Sequence, residues 1–110
     1  MVNQGDIISI NFDPQLGTEQ SGYRPAMVVS NDKMHKITKK RIFVCPITTT
    51  DKDYPIHIRL SDDMKIKGVV LTDQIKTVDI EVRNYKFIES APEEIVREVI
   101  DIVSRLIGVS

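Results

Sequence analysis

The sequence predicts a mainly β, β-rich α+β domain: five or six antiparallel strands in a small barrel or curled sheet, with one C-terminal α-helix packed on it. Three observations lead there. Up to about residue 78 the apolar residues fall in short runs, several with the period of two that marks a half-buried strand. Proline, glycine, asparagine and aspartate punctuate those runs. From residue 90 onward the apolar period becomes helical. The 110 residues suit a single domain spanning 1–110.

The elements follow in order. Ile8, Ile10 and Phe12 alternate with Ser9 and Asn11, so 6–12 reads as a strand that Asp13-Pro14 ends. Residues 13–24 form a long polar loop with Gly17 and Gly22, and loops of that length commonly carry function. Pro25 opens a strand over 26–30, which Asn31-Asp32 breaks. The run 33–41 is basic and reads as a solvated loop, with His35 in contact with water. A third strand covers 41–47; Ile42-Phe43-Val44-Cys45 is continuously apolar, which predicts burial on both faces. The threonines after it and Asp51-Lys52-Asp53 make a turn. Residues 54–60 alternate again and place His57 and Arg59 on an outer face. Further extended pieces run over 68–71 and 75–78. Ser90-Ala91-Pro92-Glu93 fits a capping box with Ser90 as N-cap. Ile95, Val96, Val99, Ile102, Val103 and Leu106 then form an apolar stripe, and Gly108 stops the helix. Ile100 and Ile107, outside the stripe, are available to a dimer contact.

Composition narrows the class. The chain is 41% hydrophobic and 28% charged, which places it among folded globules rather than disordered tails. No apolar run approaches the roughly 18 residues that cross a bilayer. The N-terminus lacks the pattern of a signal peptide. The single cysteine, Cys45, has no internal disulfide partner, and with His35 and His57 it makes no zinc spacing. These features predict a reducing, cytoplasmic setting and no cofactor. The net charge of −1 argues against a uniformly basic protein, yet the charge is polarised: 33–41 holds five basic residues and no acid, while 81–101 is rich in acid. On charge alone such a run reads as a solvated loop; only beside a nucleic-acid substrate does it become a candidate flap, with Lys36 among its contacts.

Two loops concentrate groups able to do chemistry. Glu19-Gln20-Ser21-Gly22-Tyr23-Arg24-Pro25 packs a carboxylate, an amide, a phenol and a guanidinium at the end of the long loop. Pro25 stiffens the base on which Arg24 stands. Thr48-Thr49-Thr50 supplies three hydroxyls at the end of a buried strand. If strands 25–30 and 41–47 pair antiparallel, Arg24 comes near Thr48. Spacing alone leaves a second reading open, in which Arg24 pairs with Glu19 and the threonines are a β-turn.

Gly5-Asp6-Ile7, Asn11-Phe12-Asp13-Pro14 and Gly17-Thr18-Glu19-Gln20-Ser21-Gly22-Tyr23-Arg24-Pro25-Ala26 together resemble the MazF/PemK family of toxin endoribonucleases. The similarity continues through Cys45-Pro46-Ile47-Thr48-Thr49, Tyr54-Pro55 and 68–79, and so covers almost the whole chain. The resemblance implies an SH3-like barrel, a homodimer, metal-free cleavage of single-stranded RNA, and a cognate antitoxin with an acidic, flexible tail. It assigns the catalytic pair to Arg24 and Thr48, an acid/base role to Glu19, and a catalytic or RNA-binding role to Asp73. Gln20, Tyr23, Thr49, Lys36, Gln74 and Lys76 are the further RNA contacts expected. Two departures matter: some members carry histidine at Tyr23 and a catalytic arginine at Leu71. The rival expectation is a non-cutting toxin on the same scaffold, of the kind that poisons DNA gyrase. The presence of both Arg24-Pro25 and Thr48 favours the nuclease.

Overall fold

In a computed structural model, residues 1–12 and 22–109 are described. β1 (Asp6–Asn11) and β2 (Tyr23–Val28) form an antiparallel pair in which Ile10 faces Arg24 and Ile7 faces Met27. The loop between them closes where the Phe12 N–H donates to the Gly22 carbonyl at 2.8 Å. β3 (Arg41–Thr48) is the central strand. One of its edges pairs with β2. The other is shared: residues 41–44 pair with β6 (Lys76–Asp79), and Ile47 and Thr48 pair with β5 (Val69–Leu71). β4 (His57–Arg59) adds to β5, and β7 (Tyr85–Ser90) adds to β1. The order is β4-β5-β3-β2-β1-β7, antiparallel throughout, with β6 beside β3. Its two ends do not pair with each other, so this is a curled, barrel-like sheet rather than a closed ring.

Both faces of the sheet are apolar because the strands alternate between two cores. Ile8, Ile10, Ala26, Val28, Ile42, Val44 and Val78 fill one. Ile7, Met27, Cys45, Ile47, Ile58 and Val70 line the other, which α2 (Glu93–Ile107) covers with Ile95, Val99 and Val103. Each of those three buried helix residues contributes about 1.5–3 kcal/mol of transfer free energy.

Several expectations are corrected. The described residues hold seven strands, not five or six. β7 escaped notice because a bulge opposite Ile7 and Ile8 breaks its alternation and leaves Phe87 57% exposed. Phe43 is 38% exposed, so β3 is not buried on both faces throughout. The basic run is mostly helical: α1 spans Asp32–Thr38, and the Asn31 side chain accepts from the Met34 N–H at its start. Asn31 therefore caps a helix as well as ending a strand. His35 is buried, not solvated; its Nε2 shares a 2.7 Å hydrogen bond with Ser30 Oγ, which also accepts from the Phe43 N–H at 3.0 Å. Ser90 does not cap α2. It ends β7 and bonds Asp6 Oδ1, while Pro92 occupies the cap position without a side-chain bond. Ile100 packs against the core, whereas Leu106, expected in the stripe, is 48% exposed and Ile107 is 69% exposed.

Candidate active site

A cleft of about 540 Å³ opens where β2, β3, β4 and β5 end on one side of the sheet. Arg24 enters it from β2 and Thr48 from the end of β3. The β2–β3 register runs Val28–Val44, Met27–Cys45, Ala26–Pro46; two residues further, it sets Arg24 opposite Thr48. Residues directly opposite share a face, which puts Arg24 and Thr48 on the same side of the sheet, where both line the cleft. Pro25 has no N–H to give to a ladder, and pairing with β3 stops at Ala26. Beyond Ala26, β2 keeps its pairing with β1 but not with β3.

The Thr48–Tyr54 segment forms one wall. Thr48 Oγ1 accepts the Thr50 N–H at 3.2 Å, which fixes the hydroxyl oxygen and leaves its hydrogen to donate. The turn expected over 48–53 is not formed: the chain only bends at Thr49, and the Thr48 and Asp51 side chains, each accepting a backbone N–H two residues on, shape the segment instead. Asp51 Oδ1 accepts the Asp53 N–H at 2.7 Å, and Asp51 Oδ2 accepts from Arg59 Nε at 2.8 Å. The bond from the Asp53 backbone, followed by that from Arg59, holds the Asp51 carboxyl below the usual carboxylate range. Thr49, Thr50, Lys52 and Tyr54 line the cleft from this wall.

The far wall is β4 with the segment after β5. His57 pairs with Leu71, so both point into the cleft. A one-turn 3₁₀ helix, Thr72–Gln74, then presents Asp73 and Gln74. The Thr72 hydroxyl donates to the Ile56 carbonyl and ties this turn to β4. His57 was expected on an outer, solvated face. Its side chain is instead only 5% exposed, with Nε2 3.0 Å from Asp73 Oδ1 and the ring 4.9 Å from that of Tyr54. Alternation gave the correct face; in a curled sheet that face lines the cleft.

Arg24, Thr48, Thr49, Asp73 and Gln74 are thus brought together. Three other expected contacts fall elsewhere. Tyr23, next to Arg24 and so on the opposite side of β2, lines a separate hollow with Ser9, Asn84, Tyr85 and Lys86. Lys76 lies with Nζ 5.7 Å from the centre of the Phe12 ring. Lys36 sits on α1, just before Arg41, and β3 separates Arg41 from Thr48 by roughly 23 Å at the usual rise per residue. The basic run therefore does not roof this cleft as a flap. Glu19 and Gln20 lie outside the described residues. Lys52, Tyr54 and His57 are cleft residues that spacing did not single out as site residues.

Cys45 has its side chain in the core below this site. Burial, with a smaller effect from the nearby Asp73 carboxylate, pushes its thiol up to about 12. It is a core residue and no nucleophile.

The family described as the PemK-like, MazF-like toxin of type II toxin–antitoxin systems matches residues 3–107. This chain belongs to that family. Endoribonuclease toxin MazF of Escherichia coli (strain K12) is 41% identical over 76 residues, which is 69% of this chain and 67% of that protein. Endoribonuclease PemK of Escherichia coli is 29% identical over 110 residues, 96% of this chain and 82% of its own length. The crystal structure of MazF from Deinococcus radiodurans superposes with a TM-score of 0.89 at 32% identity, covering 98% of this chain and 97% of that one. A MazE–MazF structure from the same organism gives a TM-score of 0.82 at 28% identity, covering 99% and 97%. The barrel-like sheet with its C-terminal helix is the MazF fold.

Proposed function

We propose that this chain is a toxin that cuts single-stranded RNA at short sequences, without a metal ion, through attack of the ribose 2′-OH on the adjacent phosphate. That it is an RNA-cleaving toxin follows from its family. The finer reading is carried by one observation: Arg24 and Thr48 stand opposite each other at the mouth of a polar cleft.

The reaction forms a bond from the 2′ oxygen to phosphorus and breaks the bond from phosphorus to the 5′ oxygen. A 2′,3′-cyclic phosphate and a 5′-OH result. One proton leaves the 2′-OH and one reaches the departing oxygen. Negative charge builds on the phosphorane between these events. The Arg24 guanidinium matches two phosphate oxygens with its planar fork. Thr48, its oxygen lone pair already engaged by the Thr50 N–H, donates its hydrogen to the same group. Lys52 adds a cation at the cleft wall. A guanidinium is a poor base, so proton removal falls to Glu19 in this reading, with Arg24 donating to the leaving oxygen. Thr49, Asp73 and Gln74 contact the RNA inside the cleft, and Gln20, Tyr23, Lys36 and Lys76 contact flanking nucleotides.

The partners follow the same reading. MazE–MazF structures of a relative support a cognate antitoxin, whose acidic flexible tail would complement Arg24 and Lys52. The protein acts as a homodimer in the cytoplasm. Incubation of the purified protein with a long single-stranded RNA, followed by mapping of product ends, tests the proposal. Discrete cuts bearing 5′-OH ends are expected. Intact RNA would favour a non-cutting toxin.

A further inference from the structure

His57 and Asp73 form a couple that the chemistry above does not use. The histidine ring is 5% exposed and the carboxylate 41% exposed, so the base of the couple is buried and its tip faces the cleft. A carboxylate only accepts, so Nε2 carries the hydrogen in the 3.0 Å bond to Asp73 Oδ1. Nδ1 is buried without a hydrogen-bond partner among the described residues. The ring is therefore held by a single polar contact and by the Tyr54 ring 4.9 Å away. The pair is not sealed into the core, because the Asp73 carboxylate remains 41% exposed. Here the fold fixes one carboxylate oxygen and leaves the other lone pairs to the cleft that holds Arg24 and Thr48. Gln74 Oε1, beside it, is also buried and unpartnered among the described residues.

We propose that His57 is a positioning residue. It aims Asp73 at the Watson–Crick edge of one unpaired base, and the pair thereby selects a base with an exocyclic amino group over uracil. Cytosine, adenine and guanine each present an amino donor to a carboxylate. Uracil presents a single N–H flanked by two carbonyl oxygens, which an anionic acceptor repels. Unpaired bases are read on this edge in single-stranded RNA. A carboxylate free to rotate would lose much of that discrimination, because an aimed acceptor rejects a wrong partner more strongly than a mobile one. The inference deepens the RNA-cleavage reading and rests on it.

The test uses the whole purified chain as wild type, His57→Ala, His57→Gln, Asp73→Ala and Arg24→Ala. Product ends from a long single-stranded RNA are mapped, and kcat and KM are measured on short substrates that differ at the discriminated position. Wild type should disfavour uracil at one position near the cut. His57→Ala should reduce that discrimination about ten-fold, with KM rising more than kcat falls. Glutamine places an N–H donor where Nε2 sits, so His57→Gln should return discrimination to within about three-fold of wild type. The double variant His57→Ala, Asp73→Ala should be no less selective than Asp73→Ala alone. An unchanged His57→Ala profile overturns the inference. So does equal loss in the alanine and glutamine variants with matching falls in Tm, the signature of a purely structural pair. If Arg24→Ala loses cutting while the His57→Ala profile is unchanged, this inference alone falls. If wild type leaves RNA intact, the cleavage reading falls and takes this one with it.

Discussion

Arg24 stands opposite Thr48 two residues beyond Ala26–Pro46, the last paired rung between β2 and β3. Both line the cleft that opens where that ladder has ended. Both are backbone rungs of the sheet, but neither side chain is part of the buried core, so truncating it should affect chemistry far more than folding. Arg24→Ala and Thr48→Ala should each lower cleavage by at least about 100-fold, the usual effect of removing one donor from a developing oxyanion. Tm should move by no more than a few degrees. Cleavage assays beside thermal melts check both halves, and near wild-type cutting by Arg24→Ala would remove it from the mechanism.

Charge on the phosphorane is assigned to Arg24 and Thr48, and the nucleophile belongs to the substrate. Cleavage should therefore persist after exhaustive treatment with EDTA. Strict dependence on added magnesium would contradict the proposed chemistry.

Gly68 ties stability to the site. Its backbone has φ +121°, and a β-carbon there would lie 2.2 Å from the Thr48 carbonyl oxygen. Gly68→Ala must displace the end of β3 as well as strain its own backbone. It should cost more than about 2 kcal/mol of stability and lower cleavage beyond what that loss explains. A denaturant titration paired with cleavage kinetics on the folded fraction decides this.

Cys45 predicts a pH dependence. Its folded thiol titrates near 12 against an ordinary value of 9.0. The folded value is the higher one, so the neutral thiol's contribution is complete below pH 9.0. It drains away as pH rises from 9.0 toward 12, because the unfolded chain gains a thiolate that the folded one resists. Wild type should lose stability between pH 9 and 11 more steeply than Cys45→Ala, read as urea midpoints; parallel slopes would rule the effect out.

Arg59 braces the cleft wall through Asp51 and lies 3.6 Å from Asp53. Exposed pairs of this kind contribute little to stability. Arg59→Ala should leave Tm nearly unchanged and raise KM for RNA, because the Thr48–Tyr54 wall loses its brace. An unchanged KM would show that the wall keeps its shape unaided.

Much of this was legible in the chain. Alternation in β1 and the helical stripe of α2 came from one-dimensional period, because each buries one side of a regular element. Where two effects compete, period misled. The bulge opposite Ile7 and Ile8 hid β7. The two-sided core gave His57 an inward partner on a face that reads as outer. A helix as short as α1 shows no period, and His35 is its one buried residue. In the site, spacing left Arg24 and Thr48 open to an ion pair and a turn; family resemblance singled them out, and the antiparallel register then placed them together. Asp73 and His57 meet across 16 positions, a contact no local pattern encodes.

β1 takes β7 as its neighbour, and Asp6 pairs with Ser90. The cleft draws on residues from 24 to 74, and α2, the last element, covers the core beneath. The sheet that carries the cleft is therefore complete only once residues 84 positions apart have met. The chemistry of one end of the molecule thus depends on a long-range closure at the other: loosening the β1–β7 seam should disturb a cleft that neither strand lines.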